Sequence, residues 1–146
     1  MSGNVIFRGP TEKQPITVSD KLVAGAYLPG VFVEVTATQL ALITTAIAKR
    51  PLLLSNREFY DQDIETAYAS GDTGVAYELE PGMVFQARVA AATYAKNAPL
   101  TIGASGYLVA ATTGTVVVAF FDDTPGAKSA GALVDVVIAN SYVVPA

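Results

Sequence analysis

Cysteine, histidine and tryptophan are all absent from the 146 residues. Without Cys there are no disulfides, thiolate nucleophiles or zinc–thiolate centres. Without His the chain lacks the commonest general base, proton shuttle and transition-metal ligand. Charge is scarce too, 15 % of residues where roughly a quarter is usual. The 13 acids and 9 bases leave a net −4, the wrong sign for gripping a nucleic-acid backbone. A hydrophobic content of 51 % is too high for a disordered acidic polypeptide. Long apolar runs are missing as well. Leu52 to Leu54 and Val116 to Phe121 fall far short of the ~18 residues a membrane helix needs. The opening MSGNVIFRGP shows no basic segment leading into an apolar stretch, so no secretory signal is expected.

What remains is a chain of one-domain length that buries roughly two-thirds of its unfolded surface. Val, Ile and Thr supply more than a quarter of it, and β-branched side chains favour a pleated, half-buried surface. Gly and Pro number 12 and 8 and punctuate apolar runs of strand length. The pattern predicts strands near 4–7, 15–18, 21–28, 31–36, 64–69, 74–79, 83–91, 98–102, 106–112, 115–121 and 132–139. Such short strands with regular turn signals predict an all-β fold, a small antiparallel β-barrel or sandwich. Residues 1–18 are set off by Gly9-Pro10 and a polar Thr11–Gln14 loop. They predict an N-terminal arm or edge strand ahead of a single β-rich domain, 19–146.

Val75, Tyr77 and Leu79 alternate with polar or small residues, as do Met83, Phe85, Ala87 and Val89. A three-residue loop Glu80-Pro81-Gly82 puts Tyr77 opposite Phe85, whereas a two-residue turn mixes the faces; the spacing therefore predicts a hairpin with the longer loop and Gly82 in the left-handed region. Residues 38–48 fit either period. Adjacent β-branched residues and Pro51 favour a strand or a short, poor helix, and a strand is the reading taken. The runs Val116–Phe121 and Leu133–Ile138 lack a fully polar face, although Asp135 interrupts the second. A strand apolar on both faces is covered on both faces. The second cover is either a facing sheet or a neighbouring subunit, which would meet Val117 and Phe121.

The densest charge is Glu58, Asp61, Asp63, Glu65 and Asp72. Asp61-Gln62-Asp63-Ile64-Glu65 begins like an EF-hand loop, but Thr66 stands where Gly is required and Asp72 where a bidentate Glu belongs. A solvated acidic loop is the reading taken, with no metal and no cofactor expected. Gly71-Asp72-Thr73-Gly74 has the Asp-Thr-Gly of aspartic proteases, yet sits between strand patterns as a turn. Gly103–Gly106 lacks the Lys and following helix of a phosphate loop and reads as a hairpin connection. Plentiful Ser and Thr have no recognisable activating base. Catalysis is not expected.

Taken together, Asn4–Gly9, Pro15–Val18, Tyr27–Val33, Tyr68–Thr73, Glu80-Pro81-Gly82, Asn97–Gly103 and Gly106–Val109 form a succession that resembles the head decoration (capsid cement) proteins of tailed bacteriophages. The resemblance implies a structural virion protein, made in the host bacterial cytoplasm, that binds the exterior of the expanded capsid. It further implies the major capsid protein as partner and a homo-oligomer, a trimer more often than a dimer, with no nucleic acid or membrane contacted. An arm bearing Val5, Ile6, Phe7 and Arg8 would then add to a neighbour's sheet. The alternatives are an outer strand of the domain for those residues and, for the whole chain, a tail- or fibre-associated β domain or a carbohydrate-binding sandwich.

Overall fold

The computed structural model describes residues 5–57 and 60–145. Among the described residues fourteen strands make up the regular structure, with a 3-10 turn at Ala104–Gly106 and no α-helix. The all-β expectation therefore holds, in the form of a small sandwich of two six-stranded sheets.

The first sheet contains β1 (Phe7–Gly9), β8 (Val84–Val89), β10 (Pro99–Ile102), β11 (Leu108–Ala110), β12 (Val116–Phe121) and β14 (Ala132–Val143). Its order is β1-β8-β11-β10-β12-β14, and β14 also pairs with β8, so the pairings of the last five return on themselves. The second sheet runs β2 (Thr17–Val18), β7 (Val75–Glu78), β6 (Leu52–Ser55), β4 (Phe32–Val35), β5 (Gln39–Leu42) and β3 (Leu22–Val23). A two-stranded ribbon pairs β9 (Ala92–Tyr94) with β13 (Gly126–Lys128).

The second sheet is apolar on both faces, and strand alternation explains why. Phe32 and Leu53 point into a core shared with Phe85, Leu100, Phe121 and Val136 of the first sheet. Val31, Val33, Leu52, Leu54 and Ala76 point the other way, into a second core with Val23, Leu40 and Tyr68. Loops close that second core. Tyr68 donates its hydroxyl to Ser55 O at 2.5 Å and accepts from Val75 N at 3.2 Å. Arg88, almost wholly buried, donates to Pro29 O (2.7 Å), Gly131 O (2.8 Å) and Ile64 O, pinning three loops to β8.

Several expectations change. The hairpin of residues 75–89 does not form, because β7 and β8 belong to different sheets. Tyr77 and Phe85 do meet, with ring centroids 5.9 Å apart, but across the core. The edges of β8 are occupied by β14 on one side and by β1 and β11 on the other. Glu80-Pro81-Gly82 is thus a crossover between sheets, with Gly82 at φ 90° as expected. Residues 64–69 are loop. Ile64 and Tyr68 dip into the interior from it, with 65–67 exposed between them. Of 21–28 only Leu22–Val23 is strand. Strands β6, β9 and β13 were not foreseen, while 38–48 yields the strand Gln39–Leu42.

Candidate interaction surfaces

Residues 5–9 lie on the chain's own first sheet. Phe7 pairs with Phe85 and Gly9 with Val84. Gln86 donates its backbone N–H to Ile6 O (2.7 Å) and its side-chain amide to Val5 O (2.7 Å). Ile6 is 1 % exposed, and the Phe7 ring meets Phe85 edge-on at 5.4 Å. The edge-strand alternative is the arrangement found for these residues. The boundary drawn at residue 18 separates no body from another, since β1 joins one sheet and β2 the other. Of the four predicted contact residues Val5 and Arg8 are exposed, Phe7 is half-buried and Ile6 is buried, and Arg8 Nε lies 3.5 Å from Asp135 Oδ1.

Val117 and Phe121 are fully buried within the single chain. Phe121 stacks on Tyr94 at 5.4 Å. The cover that the sequence left open between a facing sheet and a neighbouring subunit is supplied by the chain itself. Val116 and Phe120 on the same strand are the half-buried members.

The acidic segment is organised around Arg57. Its guanidinium lies over the rings of Tyr60 (5.1 Å) and Tyr68 (5.2 Å) and bonds Asp72 Oδ2 at 3.1 Å. Gln62 Oε1 accepts from Arg57 N (2.9 Å) and Nε (3.3 Å), and Asn56 Nδ2 donates to Gln62 O (2.8 Å). Burial is the larger influence on Tyr68, pushing its phenol up to about 12 despite the nearby guanidinium. Asp63 accepts from Thr66 Oγ1 (2.8 Å) and Glu65 N (2.9 Å), and these bonds hold its carboxyl below the usual range. Asp63 and Asp72 are therefore engaged by protein donors rather than converging on a cation site. No group of three metal-ligating side chains gathers among the described residues; Glu58 lies outside them. Residues 70–71 form a turn, and Ala104–Gly106 connects the hairpin of β10 and β11.

A polar recess of about 340 Å³ opens beside Arg8, Gln86, Asp123, Lys128 and Asp135. Burial raises the Asp135 carboxyl, with Arg8 opposing. Asp123 feels some burial too, but backbone N–H bonds from Asp135 and Thr124 hold it lower. A second groove, of about 310 Å³, runs between the sheets, with Leu52, Leu79, Pro81, Val118 and Ile138 among its lining. Ion pairs rim it: Lys49–Glu34 at 3.1 Å and Arg50–Glu78.

Residues 57–72, the acidic loop read from the sequence, hold five of the 13 acids and one of the 9 bases, and the rest of the chain balances eight against eight. One feature escaped the sequence reading: the exposed end of β14, where Tyr142 and Val143 are 44 % and 57 % exposed. Among the described residues no buried side-chain N or O atom lacks a partner. Compared with known proteins, the chain matches no family model and no curated protein.

Proposed function

We propose that this chain is a structural virion protein that binds the outer surface of the expanded phage capsid and stabilises contacts between capsomers. The sequence resemblance to head decoration proteins motivates the reading. The observation that supports it is rigidity: the buried polar side chains among the described residues are bonded within the chain. Here Arg57, Gln62, Tyr68 and Arg88 are spent on holding loops to sheets. Rigidity of that kind suits a clamp.

A clamp that binds assembled lattice and not dispersed subunits stabilises the lattice by mass action. Many modest contacts repeated over a shell add through multivalency. Copies grouped about local threefold positions, in contact with the major capsid protein, are the arrangement the resemblance implies.

The test is to add purified protein to expanded heads stripped of their decoration. Saturable co-sedimentation with heads, none with dispersed capsid protein, and a raised head melting temperature are expected. Failure to bind heads, or labelling of tails instead, overturns the reading.

A further inference from the structure

Four asparagines occur in the chain, and those at 56, 97 and 140 lie among the described residues. Asparagine is a thermolabile side chain, because the backbone nitrogen of the next residue can attack its amide carbon. The attack requires that nitrogen to be released from other bonds. At Asn56 it is held. The side chain is 2 % exposed and donates to Gln62 O at 2.8 Å, and the next nitrogen, Arg57 N, donates to Gln62 Oε1 at 2.9 Å. Asn97 is exposed, but the N–H of Ala98 donates to Ala95 O at 3.1 Å and its own N–H to Phe121 O at 2.8 Å.

Asn140 differs on each count. β14 leaves β8 at Ile138, where Ile138 N bonds Met83 O and Gly82 N bonds Ile138 O, each at 2.9 Å. Against β12 the register passes from Ile138 opposite Ala119 to Tyr142 opposite Val117, so residues 139–141 stand against Val118 alone. Among the described residues none of those three has a register partner in either ladder. Such a bulge disrupts the ladder locally and bends the strand. Asn140 and Ser141 are both exposed, at the lip of the groove that Lys49, Arg50 and Glu78 also line. Ser141 is not branched by two carbons at Cβ, so it crowds its own nitrogen less than Val or Ile would.

We propose that Asn140 is a site of spontaneous deamidation in the folded protein. Ser141 N bonds to Asn140 Cγ, and the side-chain nitrogen leaves as ammonia, carrying the proton that Ser141 N gives up. Water then opens the resulting succinimide at one carbonyl or the other, giving aspartate or isoaspartate. One water enters and one ammonia departs, with no oxidation or reduction. The cations of Lys49 and Arg50 border the same groove and favour the carboxylate that forms. β14 has no charged residue after Asp135, so the product places the first charge on its outer half. The reaction is independent of any binding to a capsid.

Peptide mapping of the purified chain, aged folded in mildly alkaline buffer, tests it. Cleavage after Lys128 releases 129–146, in which Asn140 is the one side-chain amide; Asn97 falls in 97–128 and Asn56 in 50–57. The acid form should accumulate in 129–146 roughly fivefold faster or more than in the other two, the factor one net hydrogen bond is worth. An unfolded sample in guanidinium separates the fold's part from the intrinsic speed of an Asn-Ser pair. Unfolding should accelerate Asn56 and Asn97 and leave Asn140 little changed. Ser141→Val should slow Asn140 in the folded chain. Equal rates in the three folded peptides, a large acceleration of Asn140 on unfolding, or indifference to Ser141→Val overturns the inference.

Discussion

The two hydrophobic cores on either side of the second sheet are built by different means. The larger one is a meeting of two sheets. Its aromatic centre is Phe7, Tyr77 and Phe85, with centroids 5.4 to 6.3 Å apart. The smaller has a sheet on one side and loops on the other, closed by Tyr68 with Tyr27, Leu42 and Tyr107 packed against it. Apolar area holds most of the first, with Arg88 bonding the carbonyl of Ile64, one of its loop members. The second leans on the hydroxyl of Tyr68, because loop backbone brought against a core carries polar groups that must be satisfied.

That contrast can be broken or sharpened by substitution. Phe85→Ala, between the sheets, should cost the most, about 3–5 kcal/mol, read as a lowered urea midpoint with unchanged slope. Arg88→Met should follow at about 3 kcal/mol, the low end of about 1–3 kcal/mol for each of the three carbonyls, of Pro29, Ile64 and Gly131, that lose their donor. Tyr68→Phe keeps the ring and loses the hydroxyl, for about 1–2 kcal/mol. If it proved as damaging as Phe85→Ala, the second core would not be the subsidiary one.

Tyr68→Phe also has a signature in pH. The folded phenol titrates near 12 against 10.0 in the open chain, so the folded state holds the proton more tightly. Stability from this group is fully present below pH about 10 and is lost as pH rises towards about 12. The variant should lack that alkaline decline in a denaturation series. Asp123→Asn acts at the other limb and more weakly, by under about 1 kcal/mol for a surface group. Its carboxyl is held low in the fold, so its contribution is present above the open-chain value of about 3.9. It disappears as pH falls through the lower folded value, and the variant should have the shallower acid limb. Tyr60→Ala, 74 % exposed, should change stability by no more than about 0.5 kcal/mol.

The same contrast explains what could be read in the sequence. Val134, Val136 and Ile138 alternate as a half-buried strand does, and they line the larger core. Gly82 and the Gly103–Gly106 connection announce their turns. Leu52–Leu54 was visible only as an apolar run; an uninterrupted run has no period, and only burial on both faces of the sheet marks it as β6. Residues 64–69 misled for the opposite reason. Ile64 and Tyr68 lie four apart and both point inward, which imitates a strand, whereas the backbone between them is held by the side chains of Gln62 and Asp63. The hairpin over 75–89 failed because period-two alternation says which side chains share a face, not which strand lies alongside. Tyr77 and Phe85 were rightly matched as neighbours and wrongly matched as a rung. Of the surfaces, the acidic loop was legible as composition. The exposed end of β14 was not, since exposure of Tyr142 and Val143 depends on where β8 ends.

The first eighteen residues carry a kinetic consequence. β1 waits for Phe85 and Val84, β2 waits for Tyr77 and Ala76, and the circuit of the first sheet closes only when β14 meets β8 and β12. Synthesis delivers those partners in reverse order of need. β1 and β2 are made some seventy residues ahead of the strands they pair with, by the sequence separations just named, and the circuit closes with β14, the last of the described strands. With so many distant pairings, folding should be slow for the chain's size, and a nascent chain truncated before residue 132 should remain open to proteolysis.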